Sequence, residues 1–291
     1  MILKSQSQLK TSEDFRDVFL DSVTPGVIPR SEFIHWKKIS EKRELYKKYF
    51  EFFRLLSSEE GNLEEKLRDA LLADDTPYKL VKTAFELLGH TGKTFASLED
   101  FVDFRALTDQ DISEDNISHV SSILIQLGLG DVIKTDLEDY FLGIQVGLET
   151  HRRKNVGGKA FVSMVREELE RIVKNLNLKG HDWALQEEQR IYYKDGDTSK
   201  KVDFLLEKGS KKIGVEVNFY TATGSKPTEI KRSYGQVNRD LEDVNASLIW
   251  ITDGCGYFSM KRSLKEARDI HKNIYNLRMV VSSLENDLEL I

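Results

Sequence analysis

The segment 200–220, KKVDFLLEKGSKKIGVEVNFY, leaves the chain few choices. Two runs rich in β-formers, 201–207 and 211–220, flank Gly209-Ser210, and a glycine-first pair suits a two-residue type II′ hairpin turn. That turn fixes a register in which Val202 faces Val217, Phe204 faces Val215 and Leu206 faces Ile213, all on one apolar side. Side chains alternate with period two, so the other side sets Asp203 opposite Glu216 and Lys201 opposite Asn218. Facing carboxylates repel by a few tenths to ~1 kcal/mol, and a fold that keeps them gains from a cation between them. Hard oxygen ligands suit Mg²⁺, which needs only one or two carboxylates and fills its octahedron with water and phosphate oxygens. A solvated hairpin face among lysines has the same pattern, because D-x12-E-x-N is short and permissive.

The function classes that remain are narrowed by what the chain lacks. Its single cysteine, Cys255, excludes an intrachain disulfide framework and a Cys-rich zinc site. The six histidines are scattered with no H-x-x-x-H pair, and neither a P-loop nor a G-x-S-x-G elbow occurs. The segment MILKSQSQLK has no apolar core of signal-peptide length, and no stretch is apolar enough to span a bilayer. A soluble, cytoplasmic protein with no membrane partner is the expectation. The net charge of −6 conceals an asymmetry: residues 1–150 carry 18 Lys and Arg against 28 Asp and Glu, and residues 151–291 carry 25 against 21. The basic excess gathers at Arg152, Arg153, Lys154 and Lys159, around the hairpin, and at Lys226, Lys231, Arg232 and Arg239, a pattern suited to attracting phosphate.

Residues 1–135 read as a helical region. Leu45, Tyr49, Phe52, Phe53 and Leu56 form an apolar stripe at helical spacing. Further helices are expected over 63–72, 77–88 and 113–127, with a short one opening at Ser97. Residues 136–291 have a different texture: a basic loop at Arg152–Asn155, a helix from Ala160 to about Asn177, and a strand over 185–193. The hairpin supplies the second and third strands. A helix over 228–243, a buried strand over 246–252, a helix over 259–274 and a strand over 277–280 complete the pattern.

A helix, three meandering strands, a helix and a strand resemble the common core of the PD-(D/E)xK nucleases, an α/β fold with a central mixed sheet flanked by helices. The segments D-Y-x-x-G-x-x-V-G (Asp139 to Gly147), R-K-N-x-x-G (Arg153 to Gly158), D-F (Asp203, Phe204), E-V-N-F-Y (Glu216 to Tyr220), G-S-K (Gly224 to Lys226), R-S-Y (Arg232 to Tyr234) and W-I-T-D-G-x-G (Trp250 to Gly256) are similar, in this order, to the DpnII/MboI family of type II restriction endonucleases. The resemblance covers roughly residues 139–277.

That resemblance implies a Mg²⁺-dependent enzyme that cuts both strands of duplex DNA at 5′-GATC, with Asp203 and Glu216 as metal ligands and catalytic residues. Phosphodiester hydrolysis fits the residues independently, since metal-bound carboxylates can favour a nucleophilic water and neutralise transition-state charge. One departure from the wider scheme is Asn218, a neutral amide where E-x-K has a lysine. The hairpin register offers Lys201 as the missing cation and the G-S-K segment offers Lys226. Arg152, Arg153, Lys154, Asn155, Ser225, Lys226 and Arg232 are candidate DNA contacts, because arginine and lysine read guanine while asparagine reads adenine. A palindromic target is matched by a homodimer. Two alternatives stay open: a repair-like or nicking nuclease on the same core, and a catalytically inactive DNA-binding protein.

Overall fold

The computed structural model describes residues 3–75, 77–90, 94–97, 100–103, 114–222, 236–237 and 239–291. The chain divides into a helical unit, Arg30–Arg152, and a sheet unit formed by Met1–Pro29 together with Arg153–Ile291. This division differs from the expected one at 135/136 in grouping the first 29 residues with the carboxyl-terminal part. Helix α1 (Lys4–Gln8) is followed by α2 (Ser12–Asp21), which starts at a capping box between Thr11 and Asp14 and buries Phe15 and Phe19 one turn apart. Hydrogen bonds join this segment to the sheet unit: Leu3 N–H donates to Asn273 Oδ1 (2.9 Å), Thr24 N–H to Asp253 Oδ1 (2.8 Å) and Asn276 Nδ2 to the Phe19 carbonyl (2.9 Å).

The helical unit contains α3 (Trp36–Ser58), α4 (Leu63–Ala73), α5 (Pro77–Leu87), the hairpin β1 (Thr94–Ala96) and β2 (Phe101–Asp103), α6 (Glu114–Gln126) and α7 (Leu129–Val132). It also takes in the first part of α8 (Leu137–Leu178). Phe50, Phe53, Leu67, Leu71, Phe85 and Phe141 share its core. The buried stripe of α3 runs through Phe50 and Phe53, with Tyr46 and Phe50 both against the Phe141 ring. Leu45, expected in that stripe, is 69% exposed because it lies one position off this line. Ser97 does not open a helix. It closes the β1–β2 hairpin, its N–H donating to the Asp100 carbonyl and its Oγ accepting from Asp100 N–H.

Helix α8 runs unbroken for 42 residues, so the basic segment Arg152–Asn155 and the Gly157-Gly158 pair are helical rather than a loop. Each helical glycine costs about 1 kcal/mol relative to alanine. Burial of Phe161, Val165, Leu169, Ile172 and Leu176 along one face of the same helix outweighs that.

Strands β3 (Ala184–Glu187), β4 (Arg190–Tyr192), β5 (Ser199–Lys201), β6 (Phe204–Lys208), β7 (Lys211–Phe219), β8 (Ala246–Asp253) and β9 (Ile274–Tyr275) build the sheet unit. The main sheet has the order β3-β6-β7-β8-β9, antiparallel up to β7 and parallel beyond it. Phe161 of α8 lies 5.0 Å from Phe219, which places the helix over the face that carries Val215 and Val217. The first strand expected over 185–193 is present as β3 and β4, divided at Glu188-Gln189, where Glu188 takes a left-handed φ of 53°.

Residues 239–242 are helical, while most of the helix expected over 228–243 lies outside the described residues. The helix expected over 259–274 is shorter, a 3-10 turn at Cys255–Phe258 and α9 (Lys261–Ile270). The last strand is Ile274–Tyr275 and not 277–280. Asn276 Oδ1 accepts the Met279 N–H and starts a helical turn there.

Candidate active site

The site is built on β7. Its pairing with β6 sets Phe204 opposite Val215, Leu205 opposite Gly214 and Leu206 opposite Ile213, the register that a Gly209-Ser210 turn dictates, and Gly209 has the positive φ (58°) that turn needs. The pairing stops at Phe204. At Val202-Asp203 the chain bends out of β6 and continues as β5, which pairs with β4 instead of β7. There is no slip in this second ribbon, since Val202 N–H donates to the Gln189 carbonyl and Glu188 N–H to the Asp203 carbonyl across the bend.

The bend exchanges the faces of the ribbon. Val202, expected among the Phe204 and Val215 side chains, lies over Gly214 on the opposite face, where a Cβ at Gly214 would sit 2.8 Å from Val202 Cγ1 and 3.1 Å from Ile191 Cδ1. Only glycine allows this close crossing. Ile191 pairs with Lys200, so Lys200 shares that inward direction, and its Nζ is 2.6 Å from Glu216 Oε1. Lys201 points the other way. It pairs with Arg190, and its Nζ meets Glu188 Oε2 at 2.8 Å, so the expectation that Lys201 stands opposite Asn218 is corrected. The bend, without any slip, turns each β5 side chain to the face opposite the one that alternation along β6 dictates.

Asp203 and Glu216 are brought together at this bend. Asp203 Oδ2 accepts the N–H of Val217, the residue that follows Glu216, at 2.8 Å. Burial pushes the Asp203 carboxyl above its ordinary range, and the Val217 N–H and the Lys200 charge offset that only in part. Glu216 is itself buried, at 9% exposure. Two desolvated carboxylates form a hard oxygen donor set that an added divalent cation would stabilise. No cluster of three or more Asp, Glu, His or Cys occurs among the described residues, which leaves water and phosphate oxygens to complete an octahedral shell.

Asn218 lies two residues beyond Glu216 on the same face. Its Oδ1 accepts the Trp250 Nε1–H at 2.8 Å. An indole N–H only donates, so this contact fixes which end of the amide is oxygen and turns the NH₂ group away from Trp250. β8 delivers the tryptophan because Glu216 pairs with Trp250 and Asn218 with Thr252 in the parallel register. At the end of β8 the Asp253 carboxylate is buried and accepts three backbone N–H groups, from Thr24, Gly254 and Leu277. A Cβ at Gly254 or Gly256 would collide with the Tyr220 carbonyl, whose oxygen accepts the Gly256 N–H at 2.8 Å. The D-G-C-G run thus lets the chain leaving β7 cross directly over the turn after β8.

The candidate DNA contacts fare differently. Arg152 is held within the helical unit, Nε donating to Glu149 Oε2 at 2.7 Å and NH2 to the Glu32 carbonyl. Arg153, Lys154 and Asn155 lie on α8, with Lys154 and Asn155 exposed. Ser225, Lys226 and Arg232 lie outside the described residues. Sequence reasoning missed Lys200, and the signal was Gly214: an isolated glycine inside a strand marks another chain passing close by.

The sequence profile of the DpnII restriction endonuclease family matches residues 16–287. The type II restriction enzyme DpnII of Streptococcus pneumoniae is 30% identical over 187 residues, 60% of this chain and 62% of that enzyme. MjaIII of Methanocaldococcus jannaschii is 29% identical over 292 residues, 94% of this chain and 98% of the relative. MboI of Moraxella bovis is 30% identical over 167 residues, 54% and 57%. The chain thus spans less than two thirds of DpnII and MboI and nearly all of MjaIII. Each relative is named a type II restriction enzyme, a site-specific deoxyribonuclease. With a match that runs from α2 through the sheet almost to the last residue, the chain belongs to the DpnII restriction endonuclease family.

Proposed function

We propose that the protein is a Mg²⁺-dependent type II restriction endonuclease with a PD-(D/E)xK-type core that cuts both strands of duplex DNA at the palindrome 5′-GATC as a homodimer. The observation that carries this reading is the pair of a buried Glu216 and a half-buried Asp203, whose Oδ2 accepts the N–H of the residue after Glu216, in a chain of this family. Asp203 and Glu216 would hold the cation. The ion supplies positive charge that polarises the scissile phosphate and favours ionisation of the attacking water. The protein's own part is positioning: the β7 ladder holds Glu216, the Val217 N–H orients Asp203, and Trp250 fixes the Asn218 amide. Arg153, Lys154 and Asn155 on α8, and Ser225, Lys226 and Arg232 after β7, contact DNA in this reading. Lys226 is kept as a second candidate for the catalytic cation.

Incubating the protein with a plasmid of known sequence and Mg²⁺ tests the reading. Discrete fragments ending at GATC are expected, and Glu216→Ala abolishes them while DNA association persists. A nicked smear would indicate a repair-like nuclease, and a mobility shift without cleavage would indicate a binding protein.

A further inference from the structure

The E-x-N sequence leaves the active face without a positive side chain at residue 218, and the bend at Val202-Asp203 brings one from another strand. We infer that Lys200 of β5 is a catalytic residue, supplying the positive charge that E-x-K enzymes carry at the third motif position. The inference rests on the assignment of Asp203 and Glu216 proposed above.

Three observations lead there. The Lys200 ammonium lies 2.6 Å from Glu216 Oε1, with the side chain largely covered. Its direction is set by backbone geometry and not by chance rotation of a surface lysine: Ile191 opposite it is buried over Gly214, so β5 presents residue 200 to the Glu216 face and residue 201 to the other. Asn218 cannot take the role. An amide carries no net charge, and its oxygen is already committed to Trp250. A cation delivered beside Glu216 stands within a long side chain's reach of any phosphate the carboxylates engage through an ion.

In hydrolysis a bond forms between phosphorus and the oxygen of water while the bond to the leaving oxygen breaks. One proton of the water goes to solvent, and the leaving oxygen takes one up. Negative charge grows on the non-bridging oxygens as this proceeds. An ammonium that donates to one of them stabilises the transition state more than the ground state, and removal of one such stabiliser typically lowers turnover by 10²-fold or more.

The test is single-turnover cleavage of a GATC duplex by Lys200→Met, Lys200→Arg and Glu216→Ala at saturating protein across a series of Mg²⁺ concentrations. Metal-free DNA affinity is measured alongside. Lys200→Met is expected to lose on the order of 10²-fold in rate at every Mg²⁺ concentration, with Lys200→Arg recovering part of it. Metal-free DNA affinity of Lys200→Met should stay within a few-fold of normal, because without an ion the ammonium is engaged by Glu216. If Lys200→Met cuts at the normal rate, or at lower Mg²⁺ than the unmodified protein, the lysine only occupies Glu216 in the absence of metal and the inference is wrong. Equal losses in Met and Arg variants, with a lowered unfolding midpoint in both, would assign it a structural role instead. Cleavage by Glu216→Ala would defeat the carboxylate assignment itself, an outcome separate from any result at Lys200.

Discussion

Glu149 in the helical unit and Asp203 in the sheet unit are both carboxylates drawn out of water beside a cation, yet they end on opposite sides of their ordinary pKa. At Glu149 burial acts to raise the value, but the His35 N–H at 3.1 Å and the Arg152 guanidinium at 2.7 Å outweigh it and hold the carboxyl low. At Asp203 burial is again the largest influence, and the Val217 N–H and Lys200 offset too little of it, so the carboxyl stays high. The first is an anion whose charge its own unit answers. The second is a carboxylate whose charge its surroundings answer only in part, as fits the metal ligand proposed above.

The largest expected consequence is in catalysis. Asp203→Asn should lower single-turnover cleavage by on the order of 10³-fold or more, while Glu149→Gln, which alters the buried carboxylate of the helical unit, leaves the chemical step within a few-fold of normal. Similar losses in both variants would break the distinction.

Stability should move the other way. Arg152→Met strips the cation from Glu149 and should destabilise the helical unit by about 2 kcal/mol in urea unfolding, as removal of one partner of a desolvated pair does. Asp203→Asn should leave the sheet unit as stable as before or slightly more so. The pH dependence has opposite signs as well. A folded pKa above the unfolded value means that the native state binds the extra proton, so the Asp203 contribution to stability falls as pH rises from its ordinary value of 3.8 through the raised one. For Glu149 the native state releases the proton more readily, so its contribution is present above 4.5 and is lost as pH falls through the lowered value. Unfolding of the two variants against the unmodified protein between pH 3 and 7 reads both signs.

Much of this was legible in the chain and some was not, for physical reasons. The pairing of Phe204 through Lys208 with β7 follows from two residues, Gly209 and Ser210, and from strict alternation, both local. The identity of the lysine at the site does not. It depends on a bend at Val202-Asp203, which is fixed by the fit of Val202 and Ile191 over Gly214, a contact between three strands. The Trp250 bond to Asn218 likewise needs the parallel register of β8, which the length of sequence between β7 and β8 hides from any local pattern. Helix α8 continues through Gly157-Gly158 because packing of its apolar face overrides the local preference to break. In the first 29 residues the capping box at Thr11 and Asp14 accounts for where α2 starts, a local effect, but nothing local tells which unit they join.

The central claim is that Asp203 and Glu216 together hold a divalent cation, and the most direct measurement locates that ion without requiring cleavage of DNA. Replacing Mg²⁺ with Fe²⁺ in the presence of ascorbate and peroxide releases hydroxyl radicals at the bound metal, which cut the polypeptide nearby, and the fragments are mapped by mass spectrometry. The account predicts cuts clustered around residues 203 and 216, suppressed by excess Mg²⁺ and lost in Asp203→Asn. Cuts confined to other segments, or a pattern around 203 and 216 that Asp203→Asn leaves unchanged, would contradict it.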